Sequence, residues 1–296
     1  MKSTMKVWTG LGVATALAGA GLAGCAGESG ESGESGTEAT EAGEAGEGES
    51  GEGESGEGEA GSGEAGEGKG GEGEGGEGEG GVDVSDAATD PVVYGSALAI
   101  VEAHAIAARD AYAAGKTEEA AEMFGHPVSE VLSDMSPVFQ QVGVEDFSAS
   151  LNEASAAALK ADNGVVVGQR YDAVVAALRA AEAKAPTGDA SDGAIAAGVV
   201  ADQIDRAVDM YSAAAGSDIY QPYLDGYGFY KAAASAFSRN GDAIKTYNSG
   251  LHADISAALG LLAQAYPSAE RPAALEIDKA KLLGAASKVE LGLPSA

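Results

Sequence analysis

From about Asp86 onward, apolar residues recur every three to four positions, interrupted by Gly, Pro, Asn and Asp, with no convincing alternation of period two. That pattern predicts an all-α body. A first helix is expected over Val92 to Ala114, with Tyr94, Leu98, Val101, Ala105, Ala108 and Tyr112 on one stripe, His104 at its edge and Gly115 as its stop. A short second helix comes next over Thr117 to Phe124, with Thr117 as its cap and Glu118 and Glu119 in its first turn, where the helix dipole favours acids. Gly125-His126-Pro127 then reads as a break. Pro127 opens a third helix with a stripe of Val128, Val131, Leu132, Met135, Val138, Phe139 and Val142, kinked by Pro137. Further helices are expected at Asp146–Ala161, Val165–Lys184, Asp189–Ala215, Pro222–Arg239, Asp242–Tyr266 and Pro272–Val289. Val165-Val166-Val167 has no partner run for a sheet and is read as a helix start. Short connections favour antiparallel neighbours in an up-and-down bundle, and abundant Ala lets the helix axes approach closely. Residues 86–296, about 210 in all, suffice for one sizeable domain or two small ones.

The pattern is absent upstream. Residues 26–81 are almost wholly Gly, Glu, Ser and Ala in Glu-Ser-Gly, Glu-Ala-Gly and Glu-Gly units, without an aromatic residue or a Leu, Ile, Val or Met. Nothing there offsets a backbone ordering cost of about 1–2 kcal/mol per residue, so residues 25–85 are expected to form a disordered linker. As a Gly-rich coil it spans roughly 40 Å, and more with its charge repulsion. Its 18 Glu against one Lys supply −17 of the formal net charge of −30. Evenly spaced Glu on flexible Gly make a solvated spacer rather than a cation cage, and a chain with pI near 4.2 excludes nucleic acid as a partner.

Ahead of this linker, Lys2 and Lys6 precede an apolar stretch from Val7 to Gly24, the layout of a secretory signal, too short and Gly-rich for a comfortable membrane span. It ends in Leu22-Ala23-Gly24-Cys25, and Cys25 is the single cysteine of the chain. This resembles the lipobox of bacterial lipoproteins. The resemblance implies cleavage after residue 24, lipidation of Cys25 and an anchor whose N-terminal acyl chains sit in the lipid bilayer. Each buried methylene contributes about 0.8 kcal/mol, so several chains hold durably where one is marginal. In such lipoproteins an Asp after the cysteine retains the protein at the inner membrane. Ala26 stands there, which implies the outer membrane of a two-membrane envelope, facing the periplasm or the surface.

The candidate chemistry is sparse. Of three histidines, His104 and His126 are separated by one helix-turn-helix, and His126, Glu130 and Asp134 stand at an i, i+4, i+8 spacing. Imidazole with carboxylates suits iron, copper or zinc. On a helical wheel Glu130 and Asp134 lie off their apolar stripe, so assembling His104, His126 and Glu130 needs a second interface; otherwise His104 is a core histidine and His126 a helix-entry one. Tyr220, Tyr223, Tyr227 and Tyr230 share one face of a segment that also holds Gly226 and Gly228. Their hydroxyls either frame a small-molecule pocket or ligate ferric iron, or the stripe is core with its hydroxyls at the rim. Ala111 to Phe124 resembles the turn of a tetratricopeptide repeat but covers less than one unit, and there is no second copy. No nucleophile elbow, zinc-protease pair, phosphate loop or dinucleotide fingerprint occurs, so the expectation is a non-enzymatic protein.

The His-bearing first helix, Gly125-His126-Pro127 through Glu130, and Tyr220 to Tyr230 together look similar to periplasmic helical proteins that accompany bacterial iron uptake, imelysin-like proteins and iron-permease-associated modules among them. That resemblance implies a ligand-binding accessory of metal uptake that meets an envelope protein or metal transporter. Two alternatives remain: a structural lipoprotein whose long tether bridges envelope components, and a metallohydrolase of imelysin-like descent.

Overall fold

The computed structural model describes residues 83–294. The predicted signal segment, Cys25 and all but the last three residues of the expected linker lie outside the described residues.

Among the described residues every regular element is helical and no strand occurs: α1 (Pro91–Ala113), α2 (Thr117–Pro127), a π-turn (Val128–Leu132), α3 (Ser133–Val142), α4 (Ser148–Leu159), α5 (Gly164–Glu182), α6 (Asp192–Ala215), α7 (Gln221–Tyr247), α8 (Ser249–Ala265) and α9 (Lys279–Leu291). Local chemistry explains most boundaries. Asp90 accepts hydrogen bonds from the Val92 and Val93 amides at the start of α1, with Pro91 in the first position, where its missing N–H costs nothing. Asn163, Ser191, Asn248 and Asp278 cap α5, α6, α8 and α9 in the same way, each cap contributing about 1 kcal/mol. The Val165-Val166-Val167 run lies in the first turn of α5, as a helix start should.

Three expected boundaries are corrected. Gly125-His126-Pro127 does not break the chain: α2 runs through it and continues as the π-turn into α3. Pro127 has no N–H to return to the preceding turn, and the wide turn comes directly after it. Asn240-Gly241 likewise stays inside α7, where the Asn240 amide donates to the Ala236 carbonyl; the stop comes at Asn248, whose side chain takes the Gly250 and Leu251 amides. Residues 272–278 are not helical, and α9 begins at Lys279 after its Asp278 cap.

Small residues set the spacing. On α1, Ala97, Ala103, Ala105, Ala107, Ala108 and Ala111 are buried, and α1 packs against α2, α5, α6 and α7. A Cβ at Gly228 of α7 would lie 2.5 Å from the Ala103 carbonyl oxygen, and one at Gly193 of α6 would lie 2.3 Å from that of Ala243. Both crossings bring a helix onto a neighbour's backbone, which only Gly permits. α1 is the one described helix long and apolar enough to cross a membrane, but most of its apolar surface is core.

Candidate metal centre

The contact of α7 with α1 at Gly228 and Ala103 brings together the elements around the next residue of α1, His104. His104 is buried, 3% exposed, and its Nδ1 donates to the Ile100 carbonyl one turn back at 2.9 Å. That bond fixes the tautomer, since a carbonyl can only accept, and leaves the Nε2 lone pair for another partner. Burial pushes the imidazole down to about 4, with the Ile100 bond opposing and His126 and Arg206 reinforcing the fall, so His104 is neutral at pH 7.

The end of α2 and the π-turn after it supply the other groups. One residue inserted into a turn shifts the register of the downstream residues by about 100°, so a position off the apolar stripe of a regular helix is re-aimed. His126, at the end of α2, and Glu130, inside the π-turn, are half-buried, and the donor atoms of His104, His126 and Glu130 all lie within 4.8 Å of one another. The two imidazole rings meet edge to face with centroids 6.1 Å apart, and Phe229 of α7 stands against His104 at 5.8 Å. Glu130 Oε2 is 4.0 Å from His104 Nε2, and Asp225 Oδ1 of α7 is 3.8 Å from the same nitrogen. Carboxylate oxygens and an imidazole lone pair are all acceptors. A cation among them turns mutual repulsion into attraction.

The structure thus brings together three of the residues singled out in the sequence and leaves two neighbours aside. Asp134 is exposed on α3. Glu102 is buried, 3% exposed, in a separate network: its Oε1 accepts from Arg179 at 2.5 Å, Arg239 at 3.2 Å and Ser235 at 3.0 Å. Burial raises its carboxyl, but the hydrogen bond from Arg179 and the charges of Arg239 and Arg179 outweigh this and hold it below the usual range. Asp225 is the group that sequence reasoning missed. Its signal was an acidic residue between Leu224 and Gly226 on an otherwise apolar face, one turn from Gln221.

The tyrosine stripe has a different part. Tyr220 donates to the Ala269 carbonyl at 2.7 Å and Tyr223 to that of Ser268 at 2.8 Å, while Tyr227 donates to Asp110 Oδ2 at 2.7 Å. Tyr230 stacks on Tyr266 with ring centroids 6.4 Å apart. Burial, helped by Glu119 and Glu270, pushes Tyr220 up to about 12, and burial likewise raises Tyr223, Tyr227 and Tyr230. Tyr220, Tyr223 and Tyr227 thus spend their hydroxyls as hydrogen-bond donors within the protein. With Tyr211, which exchanges two hydrogen bonds with the Ile277 backbone, and Arg271, which donates to the Ala214, Ser217 and Ile219 carbonyls, Tyr220 and Tyr223 strap residues 267–278 to the junction of α6 and α7.

No family model, curated protein or solved structure matches this chain.

Proposed function

We propose that the helical body is a metal-binding module, carried on a lipid-anchored envelope protein and serving as an accessory to metal uptake. The observation that carries this reading is the convergence of His104, His126 and Glu130, with their donor atoms inside a 4.8 Å limit. Zinc, iron and copper all accept two imidazoles and a carboxylate. Tetrahedral ligands with bonds of about 2.1 Å stand roughly 3.4 Å apart, so binding draws the set inward by about an ångström. The Ile100 carbonyl supplies the outer-sphere hydrogen bond that orients a ligating histidine. His126 and Glu130 are half-buried, so the centre has a route to solvent, as a site that loads and releases its ion requires.

Under this reading the helices form an antiparallel up-and-down bundle. The acidic segment ahead of them is a disordered tether reaching from acyl chains on Cys25 at the outer membrane, and a metal transporter or another envelope protein is the partner. Support for the anchor comes from the Leu22-Ala23-Gly24-Cys25 motif, and for the tether from the composition of residues 26–81.

Metal analysis of the full chain, loaded separately with zinc, ferrous iron and copper and stripped of excess, tests the reading. The wild type retains one equivalent of at least one of them, and the His104→Ala, His126→Ala double variant retains none. Retention of no metal by the wild type, or equal retention by the variant, rejects it.

A further inference from the structure

We propose that Asp225 is a fourth ligand of this centre, contributed by α7, and that the completed set of two imidazoles and two carboxylates selects a divalent cation of the zinc or ferrous type. This rests on the reading of His104, His126 and Glu130 as ligands and extends it to an element that the sequence motif does not contain.

Placement comes from helix packing. Asp225 and Gly228 are three residues apart on α7 and therefore share a face. Gly228 seats α7 on the α1 backbone at Ala103, so Asp225 comes to rest beside His104, the next residue of α1. Its Oδ1 stands 3.8 Å from His104 Nε2, closer than the 4.0 Å of Glu130 Oε2 and near the roughly 3.4 Å separation of two donors on one tetrahedral ion.

Orientation is supplied locally. Gln221, one turn earlier on α7, donates its amide to Asp225 Oδ1 at 3.3 Å, and the same nitrogen stands 3.2 Å from Met123 Sδ. The amide holds the carboxylate in place, as outer-sphere partners do.

Donor chemistry then chooses the ion. Asp225 is only 3% exposed and His104 equally so, which keeps bulk water from competing as a ligand. Imidazole nitrogens with carboxylate oxygens, and no sulfur, suit zinc or ferrous iron better than soft monovalent copper. The imidazoles disfavour magnesium and calcium, which prefer all-oxygen cages.

Cobalt(II) serves as the visible probe, titrated into the full-length wild type and into Asp225→Asn. The wild type gives the intense d–d absorption of a four-coordinate site, and millimolar magnesium or calcium leaves it unchanged. Asp225→Asn, with native helical circular dichroism, binds Co2+ and Zn2+ about 100-fold more weakly, the upper end of what a supporting group costs, and loses the four-coordinate band. Equal affinity and an unchanged spectrum in Asp225→Asn overturn the role of Asp225 while leaving the three-residue centre standing; absence of Co2+ and Zn2+ binding by the wild type overturns both. Displacement by magnesium or calcium overturns the ion class. If the variant fails to fold, carbon NMR of the wild type decides: a Zn2+-induced shift of the Asp225 carboxyl resonance supports ligation, and an unmoved resonance rejects it.

Discussion

Two buried polar groups stand two residues apart on α1, and the protein treats them in opposite ways. Around Glu102 the chain supplies its own cations: Arg179 and Arg239 converge on one carboxylate oxygen, Ser235 joins them, and the carboxyl is held in its charged state. Around His104 it gathers a second imidazole and two carboxylates, with the imidazole held neutral. The first is a closed ion network that ties α1 to α5 and α7. The second is a set of nitrogen and oxygen donors, the one proposed above to hold a positive ion. One helix therefore carries both a closed ion network and the candidate metal centre, and the difference lies in which groups the neighbouring helices bring.

The comparison breaks most visibly at Glu102. Glu102→Gln removes the buried anion between Arg179 and Arg239 and leaves them only the more exposed Glu182 to share. Unfolding in urea is expected to show a loss of about 3 kcal/mol, the low end for a broken buried pair because both guanidiniums keep roughly a third of their surface in water. Removal of a ligand at the other site should leave the metal-free protein's stability much closer to the wild type.

Acid separates the two sites next. His104 has a folded pKa of about 4 against an ordinary 6.5, so the unfolded chain binds the extra proton between these values. Its contribution to stability is therefore present above pH 6.5 and is lost as pH falls toward 4, by up to about 3 kcal/mol. Glu102 is a carboxyl held below its ordinary 4.5, and its contribution is lost only on further acidification through its depressed pKa. Unfolding free energies measured from pH 7 to 4 in wild type and His104→Leu check this. The slope between pH 6.5 and 4.5 flattens in the variant, and a slope unchanged by the substitution refutes the assignment.

The smallest expected effect sharpens the geometry. Gly228→Ala forces a methyl group against the Ala103 carbonyl at 2.5 Å, so α7 must lift from α1. Overpacking of this kind costs about 2 kcal/mol in thermal unfolding. The same shift moves Asp225 and Phe229 away from His104, so Zn2+ affinity falls although no ligand is altered. A variant that unfolds earlier but binds Zn2+ as tightly as the wild type shows that the α1–α7 contact does not position the centre.

Much of this was legible in the residues. Apolar recurrence placed the helices, since the face that must leave water is written into spacing, and the caps at Asp90, Asn163 and Ser191 are local events. His104, His126 and Glu130 stood out because histidine is scarce in this chain. Two of the misreadings share one cause. Gly125-His126-Pro127 and Asn240-Gly241 carry helix-breaking residues, yet packing against neighbouring helices outweighs a local penalty of one to a few kcal/mol. The tyrosine stripe showed that bulk was needed near α7 but not that its hydroxyls would close on the carbonyls of residues 268 and 269.

By itself, then, the chain determined an all-helical body, its apolar faces and the inventory of side chains able to ligate a metal, because these depend on spacing and composition. Only the tertiary structure decided that a wide turn after Pro127 re-aims Glu130, that Gly228 lets α7 touch α1, and that Asp225 meets His104 while Glu102 turns to two arginines. The last two depend on contacts between residues tens to more than a hundred positions apart, and no local pattern encodes such distances.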